Sequence, residues 1–325
     1  MMPLIFSFLL VSVFKTCLCD DPVWCYDSQK AGIEGCRGPN EWCVVNVTCG
    51  GAKQSPIAIK ASETEKPQPT KLKFTGYDVT RTMKMKNDKK TVTLTISPEA
   101  PGATLTWGRL SRKYKAIRID FHWGEGNENP GSEHTIDEKQ YPMEMQVLHL
   151  KDKYTKIEEA EKDPTGVAIL AFFFEAVSPP AEEAPASEQT YDKQSYKDLV
   201  EAVTKIIEPD AMEDLHIALN DLILTEEDMK DYYYYKGSMT KPGCQPAIWI
   251  VFKKAIHLTQ TQIDEFHKVK YDEANALVKN YRPVQPLHGR VVHAGGIPSS
   301  GAVLGVSFTF ILMCLSAALG CYQLI

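Results

Sequence analysis

The run Ala116-Ile117-Arg118-Ile119-Asp120-Phe121-His122-Trp123, closed by Gly124, alternates apolar and polar side chains from Ile117 onward. A period of two belongs to a β-strand, because successive side chains leave opposite faces of the pleat. Arg118, Asp120 and His122 therefore share one face, and Ile117, Ile119 and Phe121 the other. A second run, Met143-Glu144-Met145-Gln146-Val147-Leu148-His149-Leu150, puts Glu144, Gln146 and Leu148 on one face and His149 on the opposite one. If these strands are neighbours, Asp120, His122 and Gln146 converge. Thr91–Ile96, Gly166–Phe174 and Ala247–Phe252 are further strand candidates. Helical spacing is rarer: Tyr196–Ile207, and Thr259–Val269 with Thr259 as a capping residue and Asp264-Glu265 early in the run. Many strands and few helices predict a β-dominated single domain on a large sheet, spanning residues 20–293.

The chain has 325 residues, 43% of them hydrophobic and 24% charged, with a net charge of -6 and a pI near 5.8. A basic face for nucleic acid is not expected from that balance. Residues 1–19 read as a secretory signal: Pro3–Phe14 is apolar and short, and Cys17-Leu18-Cys19 offers small residues for cleavage. From Ala302 to Ile325 there is no charged side chain, and the preceding residues 294–301 are mostly small. That order reads as an attachment signal for a glycosylphosphatidylinositol anchor over residues 294–325, with Gly295, Ser299 and Ser300 as attachment candidates. A single-pass helix is the alternative, but it normally meets Lys or Arg on its cytoplasmic side. The expected location is the extracellular face of the plasma membrane, held there by lipid.

Secretion permits disulfides. Outside the two end segments the cysteines are Cys25, Cys36, Cys43, Cys49 and Cys244, an odd number, so two bridges and one spare thiol are expected. Asn46-Val47-Thr48 is a glycosylation sequon beside Cys49. Residues 178–194, SPPAEEAPASEQTYDKQ, read as a solvated loop.

The order of motifs carries a resemblance. Gln54-Ser55-Pro56-Ile57, the His122-Trp123-Gly124 strand end, Gly131-Ser132-Glu133-His134-Thr135, Gly237-Ser238-Met239-Thr240 and Asn280-Tyr281-Arg282-Pro283-Val284-Gln285-Pro286 together resemble the α-class carbonic anhydrases over roughly Trp24 to Val292. Trp24-Cys25-Tyr26, Cys49 with Cys244, and the anchor signal resemble the membrane-anchored members. The resemblance implies a twisted, mostly antiparallel central sheet, and the pairs Cys25 with Cys36 and Cys49 with Cys244. Cys43 is then left over, expected to face outward from an extended stretch after a packed Trp42 and so able to join a second chain, or else to fill the core.

Active members of that family hold zinc with three histidines. Their positions fall here on Asp120, His122 and Gln146, so only His122 is retained. A catalytic zinc takes three protein ligands and leaves one position open, which lowers the pKa of bound water to about 7. One imidazole, one carboxylate and one amide are expected to bind zinc weakly or not at all. Arg118 stands where a supporting Gln is usual and can pair with Asp120. The proton-shuttle position is Lys90, expected to keep an ordinary pKa of about 10.4. Lys241 follows the threonine matched to Thr240, where a second Thr is common. Thr240 and Glu133 match the pair that orients the hydroxide, and Tyr26 a cavity tyrosine. Leu148, Ile169, Met239 and Trp249 match the apolar CO2 pocket.

The Tyr232-Tyr233-Tyr234-Tyr235 run reads as core and rim packing. His149 reads as a packed, hydrogen-bonded histidine. The function implied is an extracellular binding or interaction module with an extracellular protein partner and little hydratase activity. The competing expectation is CO2 hydration through an atypical metal site.

Overall fold

Two adjacent antiparallel strands, Tyr114–Trp123 and Met143–Lys151, form the centre of a twelve-stranded sheet. The computed structural model describes residues 23–65, 70–97, 101–110, 112–126, 129–178 and 190–295. The expected secretory signal at residues 1–19, the expected anchor signal from residue 296 onward, and residues 179–189 of the expected solvated loop lie outside the described residues. Among the described residues no helix is long and apolar enough to cross a membrane.

Along its main path the sheet runs Met212–Ile217, Arg81–Asn87, Val92–Ile96, Tyr114–Trp123, Met143–Lys151, Val167–Val177, Pro246–Phe252, Tyr232–Ser238 and His293–Gly295. Pairing is antiparallel throughout this path except between Val167–Val177 and Pro246–Phe252. All five strands read from the sequence form, with ends shifted by no more than three residues. The alternation in the first run is interrupted, however. Opposite Met143–Lys151 the register slips between Ala116 and Arg118, leaving Ile117 as the extra residue of a bulge. Ala116, Ile119, Phe121 and Trp123 consequently share one core, while Ile117 packs against the other. The slip aims Arg118, Asp120 and His122 together at the face that Glu144, Gln146 and Leu148 use.

The sheet is buried on both sides. One core holds Phe121, Met145, Val147, Phe172 and the inner faces of the helices Gln194–Lys205 and Gln260–His267. Thr259 caps the second helix: its Oγ1 accepts from Gln262 N, and Gln262 Oε1 accepts from Thr259 N at 2.9 Å. The other core holds Leu148, Ile169, Phe173, Tyr235 and Trp249. Each such large side chain stabilises the fold by about 1.5–3 kcal/mol through burial. The tyrosine run divides as alternation requires, Tyr232 to the first core and Tyr233 and Tyr235 to the second. His149 is fully buried, donates from Nδ1 to Val147 O at 2.9 Å and accepts from the Tyr77 hydroxyl.

The N-terminal segment caps the site side. Cys25 pairs with Cys36 and Cys49 with Cys244, as the resemblance implied. Cys43 is free and exposed, but it lies in the short helix Trp42–Val45 and not in an extended stretch. There the turn of the helix separates it from the buried Trp42. The acidic loop ends earlier than expected: Thr190–Asp192 is a 3-10 turn whose Thr190 hydroxyl contacts His257, and the helix begins at Gln194.

Candidate functional site

Asp120 stands directly opposite Gln146, and His122 opposite Glu144. The convergence anticipated for Asp120, His122 and Gln146 is thus present, on one face of the central strand pair. All three are at most 5% exposed.

Each polar group then finds a particular partner. His122 Nδ1 donates to Asn280 O at 2.8 Å, leaving Nε2 buried with no hydrogen-bond partner. Asp120 Oδ2 is bracketed by Arg118, at 3.0 Å from NH2 and 3.1 Å from Nε, and by Lys241 Nζ at 3.4 Å. Burial alone would raise the Asp120 pKa, but Arg118, Lys241 and His122 outweigh it and hold the carboxyl below its usual value. Its Oδ1 is buried without a partner. The Gln146 amide nitrogen donates to Glu133 Oε2 at 2.7 Å and to Glu144 Oε1 at 3.0 Å.

Behind these lies a buried chain of hydrogen bonds. Glu144 accepts from His134 N at 2.8 Å and contacts His134 Nδ1 at 2.9 Å; His134 Nε2 meets the Tyr235 hydroxyl at 2.7 Å, which donates to Ser55 Oγ at 2.8 Å. Burial pushes the Glu144 pKa up, yet His134 brings it below the ordinary carboxylate value. Glu133 Oε1 accepts from Arg282 N at 2.8 Å. Both Glu133 oxygens are therefore engaged, by Gln146 and Arg282, and Thr240, though buried, is not among its hydrogen-bond partners. The Gln146 amide, in place of Thr240, is the side-chain donor that Glu133 meets.

Tyr26 is fully buried with its hydroxyl unpartnered, and burial, reinforced by Glu133, Asp88 and Asp120, raises its pKa well above normal. Leu148, Ile169, Met239 and Trp249 do gather in one apolar cluster, Ile169 lying in register between Leu148 and Trp249. Asn46 Oδ1 accepts from Thr48 N at 3.0 Å, capping a 3-10 turn.

Lys90 departs from the expectation of an ordinary ammonium. It is half-buried, and burial lowers its pKa to about 8 against the opposing pull of Asp88. Its Nζ donates to Gln29 Oε1 at 3.2 Å and lies 5.0 Å from the Trp24 ring centre.

His134, Glu144 and Asn280 support the site without having been singled out from the sequence. Glu144 was legible in principle, two residues before Gln146 on the same strand face. The contact of Lys241 with Asp120 joins distant parts of the chain and leaves no local signal.

A family model described as eukaryotic-type carbonic anhydrase matches residues 37–296. Among curated relatives, carbonic anhydrase 4 of Mus musculus is 34% identical over 288 residues, covering 86% of each chain. Carbonic anhydrase 15 of Mus musculus is 32% identical over 330 residues, covering 96% of this chain and 94% of the relative. Carbonic anhydrase 6 of Bos taurus is 31% identical, covering 86% and 85%.

Proposed function

The chain belongs to the eukaryotic-type carbonic anhydrase family, and from that premise we propose that it is an extracellular, lipid-anchored member with little or no CO2 hydratase activity, acting as a binding module. The observation that carries this reading is the Arg118–Asp120–Lys241 cluster opposite Gln146. Two cations already neutralise the carboxylate that would have to serve as a zinc ligand, and the amide opposite spends its nitrogen on Glu133 and Glu144. A tetrahedral zinc site needs three deprotonated donors and charge of its own kind kept at a distance. One imidazole beside a guanidinium and an ammonium does not fit that requirement.

What these residues do instead follows from their contacts. Asn280 O fixes the His122 ring, Arg118 and Lys241 hold Asp120 ionised, and Gln146 ties Glu133 to Glu144, so the former catalytic face is braced from within. That internal bracing supports a role other than turnover, and we assign that role to partner recognition outside the cell.

A second reading, hydration through an atypical His122–Asp120–Gln146 site, is favoured by the unpartnered His122 Nε2 and Asp120 Oδ1. Elemental analysis of the purified protein, with a CO2 hydration assay, decides between them. Substoichiometric zinc and background hydration support the binding module. Stoichiometric zinc that survives a mild chelator, with robust hydration, establishes the second reading. The anchor rests on the sequence order of small residues and uncharged tail. Release from cells by a phosphatidylinositol-specific phospholipase supports it, and retention with the tail peptide still detectable establishes a membrane-spanning helix.

A further inference from the structure

We propose that Lys90 is a site of reversible carbamylation by dissolved CO2, carried on the turn that packs against Trp24 and Gln29. The proposal goes beyond the reading above and does not depend on whether the chain catalyses hydration.

The geometry sets this lysine apart from its neighbours in the same hairpin. Lys86 and Lys89 turn outward and pair with Asp210, at 3.5 and 2.5 Å. Lys90 turns inward. Its amine rests over the Trp24 indole and donates to a neutral amide, Gln29 Oε1, which also accepts from Tyr26 N at 3.1 Å. It forms no ion pair with a carboxylate among the described residues. The acidic group that acts on its amine is Asp88 in the same turn, and its Oδ1 is taken by Lys90 N and Thr91 N while Lys241 Nζ stands 4.0 Å from its Oδ2. An Asn280 amide that donates to Lys90 O belongs to the residue whose carbonyl holds His122, so this turn is tied to the site.

An amine without a paired counter-charge and with reduced access to water favours its neutral, nucleophilic form. Burial brings the Lys90 pKa to about 8. At pH 7.4 roughly a fifth of such amines are unprotonated, against about one in a thousand for an ordinary lysine, an advantage of about 200-fold. The second requirement is CO2 itself, an apolar molecule. Solvent delivers it, since the Lys90 side chain is only partly buried.

The step balances without a further reactant. The amine lone pair attacks the carbon of CO2, a C–N bond forms, one C=O electron pair moves onto oxygen, and the nitrogen releases one proton to solvent. The product keeps one N–H for Gln29 Oε1. Lys241, which already approaches Asp88 of this turn, supplies a cation for the new carboxylate. Loss of CO2 restores the amine.

The test equilibrates the purified full chain with carbon-13-labelled CO2 near pH 7.5, traps carbamates with an alkylating oxonium salt and maps them by peptide mass spectrometry. Trapped label on Lys90 at least 10-fold above that on Lys84 or Lys89 is the expected result, with none at that position in Lys90→Arg. A second variant, Gln29→Glu, keeps the lysine but gives its amine a carboxylate, and should cut the label on Lys90 about 10-fold. Labelling of Lys90 no greater than that of Lys84 and Lys89, or labelling unchanged in Gln29→Glu, overturns the proposal. The readout is bond formation on one side chain, so neither result bears on zinc content or hydration.

Discussion

Gln146 lies in register with Asp120 across the central strand pair, and its amide nitrogen is committed to two carboxylates, Glu133 and Glu144, while Asp120 is committed to two cations. The two facing residues thus belong to separate networks, although Asp120 Oδ1 keeps no partner. Restoring a metal centre therefore requires dismantling both. Gln146→His alone is expected to leave zinc binding and hydration near background, because Asp120 stays clamped by Arg118 and Lys241. Asp120→His with Gln146→His, and Arg118→Gln to relieve the stranded guanidinium, should bring zinc to near one per chain by elemental analysis. Hydration restored by Gln146→His alone would falsify this account of the site.

Removing the charge at Asp120 should be costly. Asp120→Asn leaves Arg118 and Lys241, both only partly exposed, facing each other without their shared anion. Breaking a buried ion pair from one side typically costs 3–5 kcal/mol, and partial solvent access reduces this to about 2 kcal/mol. Thermal unfolding should shift down by several degrees, and Lys241→Met in the same background should recover part of the loss. An unchanged midpoint in Asp120→Asn would show that the cluster contributes nothing net.

His149 predicts an acid sensitivity that sets in well above the carboxylate range. Burial lowers its pKa to about 4, so the folded chain keeps it neutral while the unfolded chain protonates it at about 6.5. A depressed histidine penalises the folded state as pH falls below the unfolded value. Stability is full above about pH 6.5 and declines down to about pH 4, by about 2 kcal/mol between pH 7 and pH 5. Asp120 and Glu144, whose pKa values are lowered, act only at lower pH, since their contribution is present above the unfolded carboxylate value. Urea midpoints at pH 7 and pH 5 measure the slope. His149→Gln should flatten it, and an equal slope in that variant would assign the sensitivity elsewhere.

Cys43 is exposed in a chain that we place in an oxidising compartment. A disulfide dimer on a non-reducing gel, abolished by Cys43→Ser, is the expected behaviour. A monomer whose thiol alkylates readily in the folded state would reject assembly through this residue.

The fold was readable where alternation met burial. Met143–Lys151 is buried along its whole length and its two faces serve two different cores, so period two survives intact. The bulge at Ile117 escaped because an extra apolar residue at the start of an alternating run looks like ordinary strand. Of the site, the grouping of Asp120, His122 and Gln146 followed from face and neighbourhood. The inward turn of Lys90 did not, because a lysine in a run of charges reads as solvated, and only the Trp24–Gln29 wall supplied by a distant segment makes burial tolerable. The contact of Lys241 with Asp120 did not follow either, because it joins a bend to a strand far away in the chain.

The Cys49–Cys244 bridge joins residues 195 positions apart, and most of the central sheet lies between them in the chain. A single proteolytic cut anywhere in that interval, the acidic segment 178–194 included, yields two polypeptides that remain one covalent particle. Such a nick would be invisible on a non-reducing gel, and with the anchor proposed above it would shed nothing from the membrane until a reductant arrived, so cleavage and release would be separate events.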